Sequence, residues 1–339
     1  MKRAFTESEQ KALDEMSPTL NGDLIIKDWW QDNNEKYYYS NLYITFHRAC
    51  TNACDFCRNY ELEYIENKSD FDAKVKALKA WLPSIRSISY GGGDPILFID
   101  ALKRFRTKVP HDRSETIITS GIAGEFFKHK TFIGDFTKEP YKNNFLAISR
   151  HHIDDQINHE IFGGKNELLS WKDLVKVSKE MLNSPLLLKC TCRKGGIDSA
   201  DAITEYANKA RRDLNANVTF NDLDPVLTSP GQYAEKQISD DVFTEAIQKL
   251  VASGYEDIRN DWGRTSTGFD IGTVVNYDTT YQLHNGNKIY DQVNFLRYHK
   301  THEEAQTAWD KAKLREFNFS MMPNGEFFTD ERNTQRMIP

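Results

Sequence analysis

Strand-like runs alternate with amphipathic helical runs along most of this chain, and that alternation constrains its fold more than any other feature. Short stretches of strand character occur at Leu42 to Phe46, Ser87 to Tyr90, Thr116 to Thr119, Phe145 to Ser149, Leu186 to Cys192 and Asn217 to Phe220, each followed by a helical pattern. Between the first two, Phe71, Val75, Leu78 and Leu82 recur at helical spacing, with Ser69 placed as an N-cap. After the fifth, Ser199 can cap a stripe of Ile203, Tyr206, Ala207, Ala210 and Leu214. Parallel neighbours need a crossover connection, which a helix supplies. The pattern therefore predicts an α/β fold with a parallel sheet and its helices outside. Six such units instead of eight predict a partial (β/α)6 TIM-like barrel over residues 42–254, with an N-terminal extension over 1–41 and a C-terminal one over 255–339.

The composition fits that architecture and narrows the partners. Hydrophobic residues make up 39% and charged residues 28% of the 339, enough for one large domain with a full core. No apolar run approaches membrane-spanning length, and Met1 to Glu7 lacks the apolar stretch of a secretory signal, so a cytoplasmic protein that does not engage membranes is expected. A formal charge of -6 argues against broad nucleic-acid binding. Five cysteines, three of them in one short run, do not make a disulfide framework and suit a reducing compartment.

Those three are Cys50, Cys54 and Cys57, spaced C-x3-C-x2-C directly after the first strand. Three thiolates can hold an iron-sulfur cluster and leave one iron open to another ligand. A zinc site is the alternative, with His47 as a fourth ligand, but the usual second ligand pair downstream is missing. At the end of the second strand comes Ser89-Tyr90-Gly91-Gly92-Gly93-Asp94-Pro95. Carboxyl ends of parallel barrel strands are where sites are built, and glycines let a backbone approach a ligand.

Together the cysteine run, with Phe56 before its third cysteine, and the glycine turn resemble the signature of the radical S-adenosylmethionine (SAM) superfamily. The resemblance covers roughly residues 42 to 225. It implies one 4Fe-4S cluster on Cys50, Cys54 and Cys57, SAM bound at the open iron, and an electron donor such as flavodoxin or ferredoxin. SAM would be cleaved to a 5'-deoxyadenosyl radical that takes hydrogen from the substrate. It also implies cofactor contacts: Phe56 against the adenine, Gly91, Gly92, Gly93 and Asp94 at the SAM amino group, and Ser149 at the ribose. Asp94 stands where the family more often has glutamate. The stretch from Leu186 to Pro225 is similar to the branch of the molybdenum-cofactor GTP-cyclising enzyme and viperin, which makes Arg193 the contact for the SAM carboxylate, with Lys194 in reserve.

Other residues carry weaker signals. His151 and His152 are adjacent and point in different directions, so they are expected at substrate or at the surface, not on a shared metal ion. Cys190 and Cys192 lie two apart on a strand and face the same way; no further cysteine follows, so an auxiliary cluster is not expected. Asn324-Gly325 reads as a type I' hairpin turn. Asn221, Arg264 and Ser320 are expected to line the substrate side of the cavity, with the tail closing it. A small-molecule substrate is the first expectation, and modification of a ribosomally made peptide or protein the second, with residues 23 to 45 as an edge for the leader.

Overall fold

The computed structural model describes residues 37–45, 50–54, 56–57, 71–82, 85, 87–138, 144–182, 184–223, 230–257, 264–270, 273–284, 292–298, 314–321, 327–328 and 336–337. Ser69, His47 and Asn324-Gly325 lie outside them. Within them the alternation is regular: β1 (Tyr37–Thr45), α1 (Phe71–Trp81), β2 (Ser87–Gly91), α2 (Ile99–Lys108), β3 (Ser114–Thr119), α3 (Ala123–Lys128), α4 (Lys130–Lys138), β4 (Phe145–Ser149), α5 (Asp155–Ile161), α6 (Trp171–Glu180), β5 (Leu187–Thr191), α7 (Ala200–Leu214), β6 (Asn217–Asn221), α8 (Pro230–Lys236) and α9 (Asp240–Ala252). All six expected strands are present within a few residues of their expected bounds. Ser199 caps α7 as expected, its side chain accepting from Ala202 N–H at 3.2 Å.

β1 to β6 are parallel neighbours in sequence order. This is the α/β partial barrel, and the chain beyond α9 extends it. After β7 (Glu256–Asp257) come β8 (Arg264–Asp270), β9 (Thr273–His284), β10 (Gln292–Tyr298) and β11 (Leu314–Met321), followed by β12 (Phe327–Phe328) and β13 (Arg336–Met337). β10 joins β6 in parallel, so seven parallel strands run side by side. β9 pairs antiparallel with β10 and with β8, and β11 pairs parallel with β8 and also with β1. The path of pairings thus returns to β1.

An unpaired strand edge exposes a row of N–H and C=O groups. Here β10 covers the edge of β6 and β11 the edge of β1, so this part of the C-terminal extension is wall. β11 and β12 pair antiparallel, Ser320 with Phe328 and Met321 with Phe327, as a hairpin would, but this register is one residue away from that of a two-residue turn at Asn324-Gly325, whose residues lie outside those described.

Side chains alternate across the strands, and the two faces differ. Outward lie Leu42, Ile44, Ile88, Tyr90, Ile117, Leu146, Leu188, Cys190, Val218, Phe220 and Phe295, all essentially inaccessible under the helices. Phe220 stacks on Phe295 and meets Tyr206 of α7 edge-on, each with centroids 5.5 Å apart. The outward carboxylate Glu115 is held by the Arg106 guanidinium at 2.8 and 3.0 Å and by the Tyr90 hydroxyl. The inner positions, set by register, include Asn41, Tyr43, Ser87, Ser89, Ser114, Thr116, Ser149, Lys189, Thr191, Asn217, Thr219, Asn221 and Asn294. Barrel interiors are ordinarily filled by branched apolar side chains; here the same face carries Ile118, Phe145, Ala147, Leu187 and Leu296, but hydroxyls and carboxamides outnumber them.

Candidate active site

The cysteine loop follows β1 and is tied to the carboxyl ends of the neighbouring strands. Asn52 Nδ2 donates to Ser120 Oγ, just beyond β3, at 2.7 Å, and Asn166 Nδ2 donates to Asn52 Oδ1 at 2.8 Å. Ala53 N–H donates to the Phe162 carbonyl at 3.0 Å. Beneath it Gly163 has φ +84°, and a Cβ there would stand 2.8 Å from the Ala53 carbonyl oxygen, so the seat requires glycine. Cys57 N–H donates to the Cys54 carbonyl at 3.1 Å, which folds the second and third cysteines into one turn. Cys54 and Cys57 are half-buried, and Cys50 is exposed as a residue.

Burial around the Cys50 thiol raises its pKa to about 11, opposed by the Asn52 backbone and reinforced by Asp94 and Cys57, which are near enough to act on it. Among the described residues no three Cys, His, Asp or Glu side chains are already gathered at one point. The donor chemistry nonetheless fits an iron-sulfur cluster: three thiols share one pinned loop at the strand ends, and metal binding deprotonates coordinating thiols.

At the glycine turn the structure separates backbone from side chain. Gly92 and Gly93 have φ +68° and +75°. A Cβ on Gly91 would fall 1.9 Å from the Tyr43 hydroxyl, which in turn accepts from Gly92 N–H at 2.7 Å. Close approach of β1 thus accounts for Gly91. Asp94 is buried and spends its carboxylate within the protein. It accepts from Thr119 Oγ1 at 2.6 Å, Ser120 N–H at 3.0 Å, the Ser120 hydroxyl and, as the cap of the 3-10 turn Pro95–Phe98, Ile96 N–H at 3.2 Å. Burial raises its pKa, and the bonds from Ser120, Thr119 and Ile96 act against that. Its visible work is to join the glycine turn to the end of β3.

Phe56 and Arg193 do come together. The Arg193 guanidinium lies 5.8 Å from the Phe56 ring centroid, and Arg193 is buried in the turn after β5, its N–H donating to the Ile197 carbonyl at 3.0 Å. Between these elements sits His151, from the segment after β4. Its ring meets Phe56 edge-on at 4.9 Å and Phe162 at 4.8 Å, while Nδ1 accepts from Thr191 N–H at 3.0 Å. Burial first, then the Arg193 and Arg150 charges, lower its pKa to about 3, so it is neutral with its proton on Nε2. His152 is half-buried and accepts from Asp154 N–H, so the two histidines part as expected. The joining role of His151 was not legible, because its partners are distant in sequence. Asn52 and Tyr43 were likewise missed.

Ser149 ends β4 on the inner face, in register with Lys189. Asn221 ends β6 and is also inward, opposite Thr191. Ser320 is in register with Tyr43 near the carboxyl end of β1, whereas Arg264 is in register with Leu314 at the start of β11. The sheet therefore puts Arg264 at the end away from the cysteines and does not bring it together with Ser320. Cys190 and Cys192 are fully buried in the outer layer.

No family model and no curated protein matches this sequence. Solved structures do match. SuiB of Streptococcus suis bound to its precursor peptide SuiA superposes with a TM-score of 0.56 at 14% identity, over 96% of this chain and 64% of that one. SuiB bound to S-adenosylmethionine gives 0.55 at 13%, over 98% and 69%. A histidine-tagged anSMEcpe with bound AdoMet gives 0.51 at 14%, over 88% and 76%. These neighbours are radical SAM enzymes, and the chain has their partial-barrel fold. It spans 64% of the peptide-bound SuiB chain, just under two thirds.

Proposed function

We propose that this protein is a radical SAM enzyme. The observation that carries the reading is the seating of a C-x3-C-x2-C loop, by Asn52, Ala53 and Phe56, on Ser120 after β3 and on His151 and Phe162 of the stretch after β4 in this fold. Cys50, Cys54 and Cys57 would hold a 4Fe-4S cluster, with SAM between Phe56, the Gly91–Gly93 backbone, Ser149 and Arg193. When bound, that pair supplies a 5'-deoxyadenosyl radical able to abstract hydrogen from an unactivated carbon. The chain's own part is orientation and exclusion of water. Arg193 offers a guanidinium of the kind that grips a carboxylate, and its position beside Phe56 would align two ends of one ligand. Asp94 holds the glycine turn in place from outside the site.

Anaerobic reconstitution tests this directly. Iron and sulfide at one cluster per chain, with reductant-dependent formation of 5'-deoxyadenosine from SAM, is the expected result. A colourless zinc protein would replace this reading with a metal-binding module.

For the substrate, the fold shared with peptide-bound SuiB over 96% of this chain supports a ribosomally made peptide. A small molecule is the second reading, supported by the lack of any cysteine from Tyr255 to Pro339 for an auxiliary cluster.

A further inference from the structure

The inner face carries two buried acceptors that nothing among the described residues satisfies. Asn221 and Asn294 are each half-buried, and their side-chain carbonyl oxygens, shielded from solvent, have no hydrogen-bond partner among the described residues. Leaving such a group unmade costs about 1–3 kcal/mol, and folded proteins keep few of them. These two are neighbours. β6 and β10 are parallel, with Thr219 opposite Asn294 and Asn221 opposite Leu296. The outward stacking of Phe220 on Phe295 fixes Asn221 and Asn294 on the inner side. Strand spacing and rise place their Cα atoms on the order of 8 Å apart.

We propose that Asn221 and Asn294 form an amide-recognition pair that receives backbone N–H groups of an extended peptide substrate; this rests on the reading of the chain as a radical SAM enzyme and selects its peptide form. The donor sought is neutral: among the described inner-face residues of β1 to β6 and β10 there is no carboxylate to balance a cationic ligand. A carboxamide offers an acceptor and donors together, the complement of a peptide unit. Along an extended chain, N–H groups pointing the same way recur every second residue, about 6.6 Å apart. That repeat is comparable to the separation of the two asparagines.

The test uses the full reconstituted chain and its Asn221→Leu and Asn294→Leu variants, with acetyl-tetra-alanine-amide as the peptide probe and adenosine as the heterocyclic N–H donor. Removing an unsatisfied carboxamide should leave the unfolding midpoint unchanged or higher, while each substitution weakens probe binding at least tenfold. Asn221→Gln and Asn294→Gln should recover part of it. A midpoint lowered by several degrees in both leucine variants would show water-bridged structural asparagines and overturn the proposal. So would peptide affinity equal to the parent, no peptide binding by the parent, or loss of adenosine binding with peptide binding retained, which would assign the pair to the cofactor. Iron content and deoxyadenosine formation are measured on the parent alongside. If those fail, the radical SAM reading falls whatever the titration gives; if they hold and the peptide does not bind, only the pair falls.

Discussion

The two faces of the same strands follow different rules. Outward, Leu188, Cys190, Val218 and Phe220 are buried against helices and make a dry layer in which shape decides. Inward, Lys189, Thr191, Thr219 and Asn221 occupy the alternate positions. A chain selected only for stability would fill the inner layer with apolar side chains. The inner layer retains hydroxyls and carboxamides, two of the latter with an acceptor that no described residue meets, and it is on this contrast that the proposed substrate contact rests.

Cysteine chemistry gives the sharpest way to break that contrast. Replacing Cys50, Cys54 or Cys57 by alanine should abolish deoxyadenosine formation and reconstituted iron, because each thiolate holds one corner of a cluster. Cys190→Ser, in the outer layer, should keep the iron and lose about 1–3 kcal/mol for a hydroxyl buried in apolar surroundings. Equal iron loss in both sets would erase the distinction between mouth and core.

Next in size is a pair on the sheet itself. Phe220→Ala should cost about 3–5 kcal/mol, since it removes a ring stacked on Phe295 and opens a cavity under Tyr206. Thr116→Val, on the inner face, should change stability by less than about 1 kcal/mol. Chemical denaturation with unchanged slope decides both.

The outer face is also what the sequence made readable. Its apolar periodicity located the six strands and the α7 stripe, and Ser199 marked a helix start by a local bond. The polar inner positions look like loop composition in a linear reading. Closure through β10 and β11 was missed because pairing partners such as Tyr43 and Ser320 sit at opposite ends of the chain. In Leu314–Met321, Phe317, Phe319 and Met321 alternate with Asn318 and Ser320, a period-2 signal for a strand. In the site, the cysteine spacing was legible because its ligands are contiguous. The Phe56, His151 and Arg193 contact is not contiguous, and only the fold assembles it.

That contact gives the third expectation. If Arg193 pairs with the SAM carboxylate, Arg193→Leu should weaken SAM binding about 10- to 150-fold, the equivalent of about 1.5–3 kcal/mol for a charge-assisted bond. Equilibrium dialysis on reconstituted protein measures it, with iron content held equal. Wild-type affinity would transfer the role to Lys194.

The smallest expected effect concerns the joint between the faces. His151 is buried where the segment after β4 meets the cysteine loop, beside Arg193 and Arg150, and resists protonation down to about 3. In the unfolded chain it takes a proton near the usual 6.5. Between those values the unfolded state binds more protons, so stability rises with pH across the window and is lost as pH falls from about 6.5 toward 3. The slope from this residue is at most about 1.4 kcal/mol per pH unit. Urea unfolding at pH 7, 6 and 5 should therefore show a steeper decline for the parent than for His151→Gln, which cannot titrate and retains an amide to accept from Thr191. Parallel declines would mean that the imidazole is protonated in place and that Phe56 is held by other contacts. A flatter variant that also binds SAM less tightly would instead show that the neutral ring sets the position of Phe56, and with it the seat of the cysteine loop.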